Sequence, residues 1–137
     1  MKHSLIGAAL LAASLASAQA EELFVSLHSG SAMAQGAGLV LAMQALQQKA
    51  GVRVLLCDAA ADLALRSSPS APLKPKGVSP QQMLQGLVKN GARVEVCALY
   101  LPNTGRAADE LLAGVTPAQP ADVAAHLLKP DVKTLAF

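Results

Sequence analysis

The sequence predicts an α/β protein: three layers, α/β/α, around a mostly parallel sheet of about five strands. Three observations lead there. Short β-rich runs alternate along the chain with segments whose apolar residues recur at helical spacing, which implies parallel strands joined by right-handed crossovers. Two of these strand segments are near copies forty residues apart, Lys49-Ala50-Gly51-Val52-Arg53-Val54-Leu55-Leu56-Cys57 and Lys89-Asn90-Gly91-Ala92-Arg93-Val94-Glu95-Val96-Cys97. Finally, only 2% of residues are aromatic, so the core must be built from Leu, Val, Ala and Met. Alanine-rich helices lying on an aliphatic sheet suit that composition.

The chain opens with a positive Met1-Lys2-His3 and an apolar stretch from Leu5 to Ala16, followed by Ala18-Gln19-Ala20 in the small-x-small form of a cleavage site. This reads as a signal peptide over residues 1–20, too short and wrongly flanked for a spanning helix. The expected mature protein is one domain over residues 21–137, exported to a periplasmic, disulfide-permissive space. No later segment is apolar for long enough to span a bilayer. The whole chain carries a formal charge of +2 and loses one lysine with its leader. No basic cluster interleaved with aromatics is present, so neither nucleic acid nor a membrane surface is indicated as a partner.

The elements follow in order. Leu23–His28 is a first strand, closed by Ser29-Gly30-Ser31. Met33–Lys49 is a helix with Leu39, Ala42, Met43 and Leu46 at core spacing, and Gly51 marks its stop. Val52–Cys57 is the second strand. Asp58 and Asp62 then flank a helical turn, Ala59–Leu65, and read as helix-end caps rather than acid–base groups. Residues 67–80, with four prolines among serines and lysines, form an exposed connector. Ser79-Pro80-Gln81-Gln82 has the form of a capping box with Pro at the first turn; that helix stops at Asn90-Gly91. Ala92–Cys97 is the third strand. A short apolar turn follows, then a helix over Ala107–Ala113, a weak strand at Val115-Thr116, a helix from Pro120 to Lys129 and a closing strand Val132–Phe137. Gly36-Ala37-Gly38 lies inside a helix and lacks the third glycine of a nucleotide-binding loop.

The shared register of the two echoed strands matters because side chains alternate faces along a strand. Parallel strands of equal register bring Cys57 and Cys97, the only cysteines, to equivalent positions at the carboxyl edge of the sheet, where open α/β sheets carry their ligands. Helix-stop grammar explains the repeated Lys and Gly but not both thiols. Cys97 is therefore the candidate reactive group, its thiolate favoured by the backbone dipoles of a turn starting at Ala98 and by Arg106. Three roles stay open for Cys57: a resolving thiol for Cys97, half of a permanent disulfide, or a small core residue. Adjacent strands would allow a bridge, and an intervening strand would forbid it. His28 is a candidate base or ligand at the end of the first strand, against the plainer role of bonding loop backbone. Tyr100 and Asn103 are candidates to frame a pocket near Cys97. His28, Cys57 and Cys97 match no compact metal motif, so no metal is expected.

The ordered combination of these segments resembles the DsrE/DsrF-like proteins, small α/β domains associated with sulfur-atom transfer. The resemblance covers nearly all of residues 23–137. It rests on the Ser29-Gly30 turn and the Ala-rich helix after it, on Leu55-Leu56-Cys57-Asp58 with Asp62-Leu63-Ala64-Leu65, on Gln82-Met83-Leu84 with Leu87 to Cys97, and on the closing Val132 to Phe137. It implies that Cys97, eight residues before Gly105, is a sulfur-carrying thiol and that the first three strands are arranged with the two cysteines on neighbours. It further implies no organic cofactor, assembly into a homo-oligomer, a trimer or hexamer, and a sulfur donor or acceptor protein as partner. The chain departs from the pattern in its export and in the turn Ala98–Asn103. The expected function is an exported thiol-based sulfur carrier or sulfurtransferase accessory, accepting sulfane sulfur as a persulfide on Cys97. The alternative is a non-catalytic oligomeric binding or scaffold protein of the same fold, with Cys97 buried or bridged to Cys57.

Overall fold

The computed structural model describes residues 20–137; the signal-peptide reading of residues 1–20 falls, but for Ala20, outside them. Five strands, β1 (Glu22–Leu27), β2 (Gly51–Leu56), β3 (Arg93–Val96), β4 (Val115–Pro117) and β5 (Val132–Ala136), form one sheet in the order β4-β3-β2-β1-β5. Every pairing in it is parallel. The helices are α1 (Ala32–Gln47), α2 (Pro80–Lys89), α3 (Tyr100–Thr104) and α4 (Pro120–Leu127), with 3₁₀ turns at Asp58–Ala64 and Ala108–Glu110. This is the α/β architecture expected from the alternation of segments. No described helix is long and apolar enough to cross a membrane.

Strand alternation divides the sheet into two unlike faces. Val25, Leu27, Val54, Leu56, Val94 and Val96 point one way and are buried under α1 and α2, together with Leu39, Leu84 and Leu87. Each such aliphatic side chain contributes roughly 1.5–3 kcal/mol on full burial, so this layer is the main source of stability. Gly38 lets α1 lie close to the sheet, for a Cβ there would stand 2.7 Å from Leu27 Cδ2 and 2.9 Å from the Phe137 ring. That packing need accounts for a glycine in mid-helix.

On the other face α4 covers Phe24, Arg53 and Glu95. The Phe24 and His126 rings lie 6.0 Å apart. Arg53 Nε donates to Glu95 Oε2 at 2.7 Å, and its Nη2 donates to Asp122 Oδ2 of α4 at 3.2 Å. Arg93 also donates to Asp122, and its Nη2 lies 2.8 Å from Glu95 Oε1 as an ion pair without hydrogen-bond alignment. Arg53 and Glu95 are 3% and 0% exposed, so this ion cluster is part of the interior.

The expected capping box of α2 is present: Ser79 Oγ accepts from the Gln82 amide, and Gln82 Oε1 accepts from the Ser79 amide. Other boundaries moved for identifiable reasons. α1 ends at Gln47 with Lys49 in the left-handed region (φ 71°), so Gly51 is already the first residue of β2 rather than the helix stop. The helix expected over Ala107–Ala113 is only the turn Ala108–Glu110. Leu111 and Leu112 run extended and buried instead, with Leu111 bridged to Leu65 and the Leu112 amide bonded to the Ala64 carbonyl. α4 stops at Leu127, before Lys129, in keeping with the bar that Pro130 sets against helical backbone in the residue preceding it. The connector 67–80 is exposed over most of its length, but its root is tied down. Gln81 Nε2 donates to the carbonyls of Leu63, Leu65 and Ser68 at 3.2, 2.8 and 3.1 Å.

Candidate functional site

β2 and β3 are immediate neighbours, with Leu56 opposite Val96. One residue further on, the ladder continues: the Cys57 amide donates to the Leu27 carbonyl and the Cys97 amide to the Leu56 carbonyl, each at 2.8 Å. The two cysteines therefore stand side by side at the carboxyl edge, and alternation sends both side chains toward the α4 side of the sheet. Both are free thiols, and both are half-buried. The arrangement with an intervening strand does not occur, and neither thiol is wholly lost in the core.

The two thiols are close enough to perturb each other. The Cys57 thiol is pushed up to about 12, first by burial, then by the hydrogen bond with Cys97 and by the charges of Cys97 and Asp58. Cys57 therefore holds its proton more firmly than an ordinary thiol.

The thiols open into a cleft of about 560 Å³ walled by the turn after β2 and by α3. Asp58, Ala59 and Asp62 line it from the first side, and Leu99, Tyr100, Asn103 and Thr104 from the second. Asp58 sits in the left-handed region (φ 51°), which Asp tolerates better than most residues and which turns the chain sharply away from Cys57. Tyr100 is nearly buried and its hydroxyl donates to Asp62 Oδ1 at 2.5 Å. Burial, that hydrogen bond and the Asp62 charge push its phenol up to about 12, with Arg106 opposing. Asn103 Nδ2 donates to the Leu99 carbonyl at 2.7 Å and so holds α3 together at the mouth. Leu99 stands 69% exposed on the rim.

Cys57, Cys97, Tyr100 and Asn103 thus share one cleft. Gly105 and His28 do not line it. Gly105 ends α3 in the left-handed conformation (φ 67°), and the His28 ring is tied to Ser26 Oγ at 2.7 Å. Arg106 pairs with Glu110 at 3.4 Å and its charge acts on the Tyr100 hydroxyl, though it does not line the cleft. α3 starts only at Tyr100, three residues after Cys97, and the Tyr100 amide is already bonded to the Cys97 carbonyl. Asp58 and Asp62 are the residues that sequence reasoning misplaced: their position in a helical turn suggests caps, whereas they furnish the acidic wall. The signal for this was Asp58 directly following a candidate thiol. Among the described residues no three His, Cys, Asp or Glu side chains are grouped as a metal site.

No protein-family model matches the chain, and no curated protein matches it in sequence. Solved structures do match. The YchN protein of E. coli aligns with a TM-score of 0.70 at 21% identity, over 85% of this chain and 99% of that one. MTH1491 of Methanobacterium thermoautotrophicum, a protein of unknown function, aligns with a TM-score of 0.65 at 13% identity, also over 85% of this chain and 99% of its own. Both have the DsrE-like α/β fold, and at these identities the likeness is one of architecture.

Proposed function

We propose that this chain is an exported member of the DsrE/DsrF-like family and a thiol-based sulfur carrier, with Cys97 as the thiol that holds the sulfur. The observation that carries this reading is the pairing of two free, half-buried thiols on neighbouring strands at the carboxyl edge, facing one cleft. The cleft in front of them admits a small donor or an extended side chain. The shared fold of YchN and MTH1491 supports the family assignment, and the leader-like residues 1–20 support export to the periplasm.

In the transfer, the Cys97 thiolate attacks the terminal sulfur of a donor persulfide. The new bond joins Cys97 Sγ to that sulfur, the donor's S–S bond breaks, and the donor leaves as its thiolate. Its proton stays on the transferred sulfur or is lost to solvent. No external oxidant or reductant is consumed. Cys57 donates its hydrogen bond to Cys97 before attack and remains beside the persulfide afterwards. A partner thiol then removes the sulfur by the same exchange, and the working unit is a homo-oligomer, a trimer or hexamer.

The test is the intact mass of the mature protein before and after exposure to a persulfide donor. A gain of one sulfur atom is expected, reversed by a thiol reductant, lost in Cys97→Ala and retained in Cys57→Ala. An unmodified wild-type protein would overturn the reading.

A further inference from the structure

The cleft's lining is charged in one sense only. Asp58 and Asp62 contribute carboxylates, the α3 side contributes Leu99, Tyr100, Asn103 and Thr104, and no Lys, Arg or His lines it. Arg106, outside the lining, is shared between Glu110 and the Tyr100 hydroxyl. The other nearby cations on this face of the sheet, Arg53 and Arg93, are matched by Glu95 and Asp122. An anion approaching Cys97 therefore meets two carboxylates and no cationic side chain among the lining residues.

Resting on the sulfur-carrier reading, we infer that the cleft chooses its donor by charge: it takes sulfane sulfur from uncharged or cationic persulfides and turns away anionic donors, thiosulfate above all. Thiosulfate would have to bring two negative charges to the acidic wall and leave as sulfite without a cation to stabilise either. A persulfide on a neutral or basic carrier meets no such barrier, and a basic one gains from Asp58 and Asp62. The effect is roughly threefold in rate per carboxylate and per unit of donor charge, for charges about 6 Å apart in a water-like dielectric.

The experiment compares initial rates of Cys97 persulfidation by three donors of similar S–S chemistry: the persulfides of cysteamine (cationic), N-acetylcysteine amide (neutral) and N-acetylcysteine (anionic), with thiosulfate as a fourth. Rates are normalised to those of a free thiol at low and high salt. In parallel, Cys97 is alkylated in the Cys57→Ala background with iodoacetamide and with iodoacetate, normalised in the same way. The expected order is cationic, neutral, anionic, with thiosulfate slowest and iodoacetate disfavoured. The spread narrows in high salt. It narrows about threefold per unit of donor charge in Asp58→Asn, a substitution that keeps the left-handed backbone accessible. Equal normalised rates, or efficient transfer from thiosulfate, would overturn the inference. Discrimination against iodoacetate with no sulfur uptake from any donor would uphold charge selection and sink the carrier role.

Discussion

Tyr100 reaches across the cleft to Asp62, and its hydroxyl is the link between α3 and the turn that follows β2. A hydrogen bond to a carboxylate is worth about 1.5–3 kcal/mol, more than an ordinary neutral one. Tyr100→Phe keeps the ring and removes the bond. The variant is expected to lose about that much stability in urea denaturation and to show faster amide exchange across residues 99–105.

The two raised acids at the site give the protein an alkaline limit. An unfolded thiol loses its proton near pH 9 and an unfolded tyrosine near pH 10, whereas Cys57 and Tyr100 hold theirs to about 12 in the folded state. Between those values the unfolded chain binds fewer protons than the folded one, so stability falls as pH rises. The contribution is intact below about pH 9 and lost by about pH 12. Denaturation midpoints across pH 8–12 should decline, and Cys57→Ala combined with Tyr100→Phe should flatten the decline.

On the proposed carrier role, Cys57 acts through Cys97. Removing its S–H in Cys57→Ala should slow Cys97 alkylation near neutral pH by about tenfold, the equivalent of one ordinary hydrogen bond. Cys57→Ser, which restores a donor of similar size, should recover most of the rate. Equal rates in all three proteins would show that the contact between the thiols has no bearing on reactivity.

Arg53 and Glu95 form a buried pair whose members depend on each other. Glu95→Ala leaves Arg53 charged and short of a partner in the interior, and a loss of about 3–5 kcal/mol is expected. Arg53→Met with Glu95→Leu removes both charges together and should recover most of that loss. Urea midpoints of the single and double variants separate these outcomes.

Gln81→Ala should free the root of the connector. Its amide serves three carbonyls at once, and no other side chain reaches them among the described residues. Limited proteolysis within 67–78 is expected to accelerate, with a cost in global stability of about 1–3 kcal/mol.

The fold was readable because its strands and helices declare themselves locally: Val52 to Cys57 and Arg93 to Val96 are β-rich, and Ser79-Pro80-Gln81-Gln82 caps its helix without outside help. The pairing of Cys57 with Cys97 was legible only in part. Equal register placed both at one edge, but their adjacency depends on strand order, which is set by crossovers rather than by any local residue. The acidic wall and the ion cluster were not readable in the same way. Asp62 becomes part of a cleft only once Tyr100 arrives from 38 positions away, and Arg53 acquires Asp122 from 69 positions away. His28 ends its strand as expected, but its neighbour Ser26 takes its ring.

The spacing of charges and thiols along the two central strands has a mechanical consequence. Glu95 precedes Cys97 by two residues and Arg53 precedes Cys57 by four, all on one face of the sheet, so the ion pair sits about 7 Å upstream of the nearer sulfur. A slip of one strand along the other would break that pair and carry the sulfurs to different heights. The salt bridge is thus a gauge pin against shear, and the tolerance between the two sulfur atoms is machined from below, by residues that never touch a substrate.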